Sequence, residues 1–140
     1  MISITSEYAL RALATLADAG TEATLQAREI ASQTSVPASY LSKILTTLRR
    51  AGVLGGTRGI GGGYCLARKP EEIALIEVIE LFEVVRPNNA CLLGRSEGCD
   101  DDHPCGAHDA WKKVHGAYQE FLASRTVADL ARVEPREDST

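Results

Sequence analysis

Hydrophobic residues recur every three or four positions along five stretches of the chain, and this spacing predicts amphipathic helices. The stretches are residues 3–19, 26–33, 37–50, 76–84 and 107–124. The first begins among hydroxyl residues suited to capping a helix, and Gly20 follows it as a stop signal. Thr126 is placed to cap one further turn after the last stretch. The pattern therefore predicts a mainly α-helical chain.

A short connection joins the second and third predicted helices, which is the arrangement of a helix-turn-helix. On the third helix, apolar residues occupy one side, and the remaining positions are small, polar or basic, with no acid. A helix with such a side fits the major groove of DNA. The alternative is a plain helical hairpin with a solvated face, although solvated faces usually mix Glu with Lys.

A glycine-rich segment follows the third helix, with six glycines among the nine residues 55–63. Its flanks have strand character and its centre is rich in turn residues, so we expect a β-hairpin, or wing. The glycine spacing matches neither the phosphate-binding nor the dinucleotide-binding motif. Arg58 lies in the loop of this hairpin, where its guanidinium could reach a groove or a phosphate.

The last predicted helix carries apolar residues at alternating spacings of four and three: Ala107, Trp111, Val114, Tyr118 and Phe121. A seam of this kind requires a partner surface. That partner is either the N-terminal part of the same chain or a second copy of the chain in a symmetric dimer. We favour the dimer, because the first domain looks complete without this helix.

The composition is that of an ordinary globular domain: 140 residues, 44% hydrophobic and 24% charged. Apolar runs are too short for a membrane span, and Glu7 and Arg11 interrupt the region that a signal peptide would need. Four cysteines are too few for a disulfide scaffold, so we expect a cytoplasmic protein with reduced thiols and no membrane contact. Residues 1–69 carry a net charge of +4 and residues 70–140 carry −8. This asymmetry favours a polyanion as the partner of the first half, although chance scatter is an even alternative.

Three cysteines and a histidine form the strongest chemical signal: Cys91, Cys99, Cys105 and His108, spaced C-x7-C-x5-C-x2-H. Thiolate and imidazole ligands suit Zn²⁺ or an iron–sulfur cluster. Zinc fingers usually bring their ligands in close pairs, so the wide gaps favour something bulkier than one ion. The alternatives are a metal-free thiol switch, structural zinc, or chance, and His103 competes with His108 as a ligand.

Catalytic chemistry is not indicated, because the sequence offers no nucleophile–base pair and no paired carboxylates in a cleft-like context. We therefore do not expect an enzyme. A small iron–sulfur electron-transfer or carrier protein is the alternative from another functional class. The acid-free third helix counts against that alternative, since a carrier needs no affinity for DNA.

Several motifs together resemble a known family. The segment from Tyr40-Leu41 to Leu66 contains R-G-x-G-G-G-Y-x-L, the chain opens with E-Y-A-L-R-A-L, and C-x2-H precedes a long Trp-containing helix. These motifs are similar to those of the Rrf2 family of winged-helix transcription regulators, over about residues 1–125. The three-cysteine loop resembles the iron–sulfur-cluster-binding branch of that family, which includes IscR, NsrR and RirA.

The resemblance implies a mainly α fold: a winged helix-turn-helix with a β-hairpin wing, a cysteine-bearing loop and a long C-terminal dimerisation helix. It implies a homodimer that binds operator DNA, most often as a repressor. It also implies one [2Fe–2S] or [4Fe–4S] cluster per chain on Cys91, Cys99 and Cys105. The fourth ligand is His108, or else Glu7, whose alternative role is that of a helix-dipole acid. DNA affinity would then respond to nitric oxide, redox state or iron supply.

The same resemblance, joined to the charge pattern, assigns residues to roles. The predicted domains are residues 1–69 for DNA binding, 70–106 for a connecting helix and cluster-binding loop, 107–131 for dimerisation and a final turn, and 132–140 for a flexible tail. The residues expected to contact DNA are Ser39, Tyr40, Ser42, Lys43, Arg49, Arg50, Arg58, Gly59 and Gly61. The residues expected at the dimer interface are Trp111, Val114, Tyr118 and Phe121. Ser42 replaces a glutamate of cluster-binding relatives, so a different operator preference is expected.

Overall fold

The computed structural model describes residues 2–20, 22–57, 62–85, 92–93, 102 and 104–131. Five α-helices occur in these ranges: α1 (Ile4–Ala19), α2 (Ala27–Thr34), α3 (Ala38–Arg50), α4 (Leu75–Ile79) and α5 (His108–Ser124). Two strands, β1 (Leu54–Thr57) and β2 (Gly63–Leu66), form an antiparallel hairpin, and 3₁₀ turns lie at Pro70–Glu72 and Val127–Leu130. None of the described helices is long and apolar enough to cross a membrane. The predicted helices and hairpin are therefore present.

Local chemistry sets the ends of the first helices, much as the sequence predicts. The Ser3 hydroxyl accepts a hydrogen bond from the Ser6 N–H at 3.1 Å, which caps α1. Gly20 closes the same helix with a φ of 102°. Helix α3 begins directly after Pro37, whose fixed φ favours a helix start and whose carbonyl accepts from the Leu41 N–H at 3.0 Å.

One hydrophobic core joins all five helices. The fully buried side chains include Leu13 and Leu16 of α1, Ile30 of α2, Leu41, Leu45 and Leu48 of α3, Leu75 and Val78 of α4, and Leu122 of α5. Helices α4 and α5 thus pack in the same core as the helix-turn-helix. The domain boundaries after residues 69 and 106 stay a prediction.

The fourth helix is shorter than residues 76–84, the range that its periodicity predicts. It ends at Ile79, after which hydrogen bonds of the tighter i to i+3 type appear. The Leu81 N–H donates to the Val78 carbonyl at 3.1 Å, and the Phe82 N–H donates to the Ile79 carbonyl at 3.0 Å. Glu83 then reaches α1 with its carboxylate. The prediction was wrong beyond Ile79, because the chain continues there as turns in which the Ile79 carbonyl accepts from both Phe82 and Glu83.

The wing is attached to the body of the domain by a short backbone bridge. Leu25 and Tyr64 exchange two hydrogen bonds, from the Leu25 N–H at 2.9 Å and from the Tyr64 N–H at 2.7 Å. The residue next to Tyr64 must be glycine, because a Cβ on Gly63 would lie 2.6 Å from the Leu25 carbonyl oxygen. The bridge therefore fixes the start of β2, at the loop end of the hairpin, to the segment that precedes α2.

Candidate nucleic-acid interface and metal-ligand residues

Helix α3 has one buried face and one exposed face. Leu41, Ile44, Leu45 and Leu48 are at most 2% exposed and attach the helix to the core. The opposite face is exposed and carries Ser39, Tyr40, Ser42, Lys43, Arg49 and Arg50. No acidic residue occurs in the helix. This face presents hydroxyls and three cations, which is the chemistry that contacts phosphates and base edges.

Aromatic and cationic side chains of α1 support the N-terminal end of α3. The rings of Tyr8 and Tyr40 meet edge to face with centroids 6.1 Å apart. The Arg11 guanidinium lies 5.5 Å from the centroid of the Tyr8 ring and forms an ion pair with Glu7 at 2.8 Å. Movement of α1 would therefore shift Tyr40, which lies on the exposed face of α3.

A cleft of about 450 Å³ opens beside this aromatic pair. It is lined by Thr5 of α1 and by Ser39, Tyr40, Lys43 and Ile44 of α3. Two hydroxyls, one phenol and one ammonium thus surround a concavity on the candidate DNA-binding side. Groups of this kind donate hydrogen bonds to phosphate oxygens.

The structure describes only part of the predicted wing. The two strands and their register are described, whereas Arg58, Gly59 and Gly61 lie outside the described residues. Cys65 is partly buried in β2 and its thiol is free. Its partner across the hairpin is Gly55, where an added Cβ would come within 3.6 Å of the Cys65 sulfur.

Two of the predicted metal ligands lie three residues apart at the start of α5. Cys105 has a free, partly buried thiol, and the His108 N–H donates to the Cys105 carbonyl at 3.1 Å. The His108 side chain is 7% exposed. Cys91, Cys99 and His103 lie outside the described residues. Within the described ranges, no three His, Cys, Asp or Glu side chains gather into a metal site. The described donors, one thiol and one imidazole, suit a cluster as part of a larger ligand set.

Glu7, the other candidate for the fourth ligand, lies on α1. Its carboxylate is about half exposed and is paired with Arg11. To act as a metal ligand it would have to leave this ion pair. His108 lies three residues after Cys105 along the chain.

The predicted dimer residues divide between two faces of α5. Trp111 and Tyr118 are partly buried and line a cavity against α4. Val114 and Phe121 are 54% and 50% exposed. The buried line of the helix consists instead of His108, His115 and Leu122, each seven residues from the next. The heptad spacing is therefore real, but the line that packs in the core is shifted by one position from Val114 and Phe121.

Glu83 forms a hydrogen-bonded cluster with the N-terminus of α1. One carboxylate oxygen accepts from the Ser3 N–H and from the Ser6 hydroxyl, both at 2.7 Å. Burial raises the pKa of Glu83, but the hydrogen bonds from Ser3 and Ser6 outweigh it, and the pKa lies below its usual 4.5. Burial, followed by the charge of Glu83, raises the pKa of Tyr118 above its usual 10.0. The anion thus ties the segment after α4 to the start of α1.

Sequence reasoning missed the roles of Glu83 and His115. In the sequence, Glu83 follows an apolar stretch and resembles an ordinary surface acid, because its hydrogen-bond partners are about 80 residues away. His115 is 6% exposed and belongs to the buried line of α5. Its spacing of seven from both His108 and Leu122 is the signal that could have placed it.

Comparisons with known proteins bear on this arrangement. A family model described as "Rrf2: Iron-dependent Transcriptional regulator" matches residues 2–133. The chain is 33% identical over 138 residues to an Aquifex aeolicus protein provisionally named an HTH-type transcriptional regulator, which covers 97% of this chain and 94% of that protein. The structure of CymR, the global cysteine regulator of B. subtilis, matches with a TM-score of 0.75, 27% identity and coverage of 94% and 95%. IscR of T. potens matches with a TM-score of 0.70, 28% identity and coverage of 93% and 85%. These matches confirm the predicted winged-helix fold.

Proposed function

The chain belongs to the Rrf2 family, as its motifs predicted, and is a transcriptional regulator and not an enzyme. From this premise we propose that an iron–sulfur cluster controls its affinity for operator DNA. The proposed ligands are Cys91, Cys99 and Cys105 with His108. The proposal is supported by the sequence proximity of Cys105 and His108, which are three residues apart and are linked by a backbone hydrogen bond just before α5.

The two described ligands have a suitable setting. Cys105 lies three residues before His108, the first residue of α5, and its thiol is partly buried. His108 is buried, which shields a ligand bond from water. A bound [2Fe–2S] or [4Fe–4S] cluster supplies a group that nitric oxide, oxidants or iron shortage can alter or remove.

A series of contacts offers a route from the cysteine-bearing loop to the DNA-binding helix. Glu83 precedes that loop and holds Ser3 and Ser6 at the start of α1. Further along α1, Tyr8 contacts Tyr40 of α3. Ligation that orders the loop would therefore bias the position of α3 through α1. In a dimer this position matters, because two recognition helices must match half-sites about one turn of duplex apart.

The exposed face of α3 is the proposed major-groove surface. Ser39, Tyr40 and Ser42 would contact base edges or the backbone, and Lys43, Arg49 and Arg50 would contact phosphates. Arg58, which Gly59 and Gly61 follow, would reach the DNA from the wing. Binding through these cations should weaken steeply with added salt. A cytoplasmic location is consistent with this DNA-binding role.

A second copy of the chain is the proposed partner of α5. Val114 and Phe121 are large apolar side chains, each about half exposed, and Ala110 and Ala117 are exposed on the same side of the helix. This stripe is the part of the predicted seam that the chain's own core leaves uncovered. Trp111 and Tyr118 would contribute at the edge of this stripe, because both also line the cavity against α4.

A second candidate mechanism is a cluster-free thiol switch. CymR, which has a similar fold, is named a cysteine regulator. In this chain the Cys105 thiol is free and partly buried. Oxidation of Cys91, Cys99 or Cys105 would then replace loss of a cluster as the signal.

Anaerobic purification followed by iron and sulfide analysis distinguishes the two mechanisms. We expect about two or four irons per chain with matching sulfide, and visible absorbance that Cys105→Ser abolishes. Cys65→Ser is the matched control, because Cys65 lies in the wing and should leave iron content unchanged. His108→Ala should alter the spectrum more than Glu7→Gln. A colourless wild-type chain after reconstitution with iron and sulfide would favour the thiol switch.

A further inference from the structure

Thr46 is exposed on α3 and is not among the residues predicted to contact DNA. It lies four residues from both Ser42 and Arg50, and three residues from both Lys43 and Arg49. Side chains three and four residues apart are neighbours on the surface of a helix, so these four side chains surround Thr46. Thr46 is therefore in the middle of the proposed major-groove surface.

The hydroxyl proton of Thr46 is already used inside the helix. The hydroxyl donates to the Ser42 carbonyl oxygen at 2.9 Å, one turn back along α3. A threonine hydroxyl has a single proton, so while this bond is kept Thr46 has no donor for a base edge or a phosphate. It can offer DNA only its γ-methyl group and the lone pairs of the hydroxyl oxygen.

The methyl group is the part of Thr46 that its neighbours cannot replace. The four side chains around it end in one hydroxyl, one ammonium and two guanidinium groups, and none of them carries a methyl group. In the major groove, the 5-methyl group of thymine is the apolar feature of a base edge, and a threonine methyl group packs against it. The lone pairs are the weaker alternative, because the amino groups of adenine and cytosine are read best by amide and carboxylate side chains.

We infer that Thr46 is a specificity-determining residue whose methyl group recognises the 5-methyl group of a thymine in each half-site of the operator. The inference rests on the proposed docking of α3 in the major groove, and it requires neither a cluster nor a thiol switch. Thr47 supplies a matched control, because its hydroxyl donates to the Lys43 carbonyl at 3.0 Å in the same way. Thr47 is partly buried, and it lies three residues after the buried Ile44, at the edge of the exposed face.

A cycle of paired protein and DNA substitutions tests this contact. The thymines of an operator half-site are replaced singly by deoxyuridine, which lacks only the 5-methyl group. Fluorescence anisotropy then measures the affinity of the full chain, in whichever form, cluster-loaded or cluster-free, binds the operator more tightly. At one thymine we expect deoxyuridine to weaken wild-type binding about fourfold for each half-site, the effect of uncovering one methyl group.

Three substitutions assign that effect to a group of the protein. Thr46→Ser keeps the hydroxyl and loses the methyl group, so it should show the same loss on the thymine operator and no further loss on the deoxyuridine operator. Thr46→Val keeps a methyl group without the hydroxyl and should bind like wild type. Thr47→Ser should bind like wild type on both operators. Circular dichroism checks that each variant is folded.

Two results would overturn the role of Thr46. One is that the losses from T46S and from deoxyuridine multiply at every thymine; the other is that T46V binds more weakly than T46S, which would assign the contact to the lone pairs. Lys43→Ala separates this inference from the docking on which it rests. If K43A weakens binding while no thymine couples to T46S, only the role of Thr46 is wrong. If K43A leaves the affinity unchanged, the docking of α3 is wrong as well.

Discussion

Replacement of Glu83 by alanine should destabilise the fold by loosening the segment after α4 from α1. The carboxylate accepts two hydrogen bonds of 2.7 Å, one from a backbone N–H at the start of α1 and one from the fully buried Ser6 hydroxyl. Hydrogen bonds to a charged group contribute about 1.5–3 kcal/mol each when buried. Because Glu83 is partly exposed to water, we expect about 2 kcal/mol for the pair together.

The assay is urea denaturation of wild type, Glu83→Ala, Glu83→Gln and Glu80→Ala. Glu80 is an exposed acid in the turn before Glu83, so its loss should change the free energy of unfolding by less than about 0.5 kcal/mol. The Gln variant keeps an acceptor but loses the charge, so about half of the effect is expected. In a thermal melt, the alanine variant should unfold roughly 6 °C below wild type.

The effect should also depend on pH, with a defined sign. The pKa of Glu83 is lowered in the folded chain, so its stabilisation is present above the usual value of 4.5 and is lost as the pH falls through the folded value. The difference between wild type and E83Q should therefore be constant near neutral pH and should shrink in acid. A loss in E83A no larger than in E80A, or a difference that persists in acid, would refute the reasoning.

Four further changes have expected outcomes. Gly63→Ala should destabilise the chain by about 1–3 kcal/mol, because the added Cβ lies 2.6 Å from the Leu25 oxygen. Gly116→Ala in α5 should instead stabilise it by about 0.5–1 kcal/mol, since nothing described lies within 4 Å, and urea melts compare the two. Lys43→Ala should lower the salt dependence of operator binding by about one unit of slope, whereas Lys113→Ala should not, as anisotropy titrations would show. Phe121→Asp should convert a dimer into monomers in sedimentation experiments, whereas Glu120→Gln should leave it dimeric.

The spacing of hydrophobic residues predicted the elements of this fold well where burial depends on residues nearby in the sequence. Helices α1, α2 and α3 lie within one residue of their predicted ends, since Ser3, Gly20 and Pro37 are local stop and start signals. The antiparallel hairpin was equally predictable from its glycines and flanking strand residues. These features depend on residues close together in the sequence.

Features that depend on distant contacts could not be read from the pattern. The hydrogen bond between Glu83 and Ser3 joins residues 80 positions apart. Residues of α5 fall on two lines with a spacing of seven, and periodicity alone does not say which line packs against the chain's own core. The spacing of His115 from His108 and Leu122 indicates its burial only once the packed line is known. The whole ligand set of Cys91, Cys99, Cys105 and His108 stays a prediction, and Cys91 and Cys99 lie outside the described residues.

The central claim, that an iron–sulfur cluster on the three cysteines sets DNA affinity, is tested most directly by one binding measurement. Operator DNA selected from random duplexes is titrated at one fixed salt concentration with cluster-loaded wild type and with the Cys91→Ser, Cys99→Ser, Cys105→Ser triple variant. The account predicts affinities that differ by at least about tenfold, a free-energy difference of about 1.4 kcal/mol. Equal affinities of the two folded proteins would contradict it.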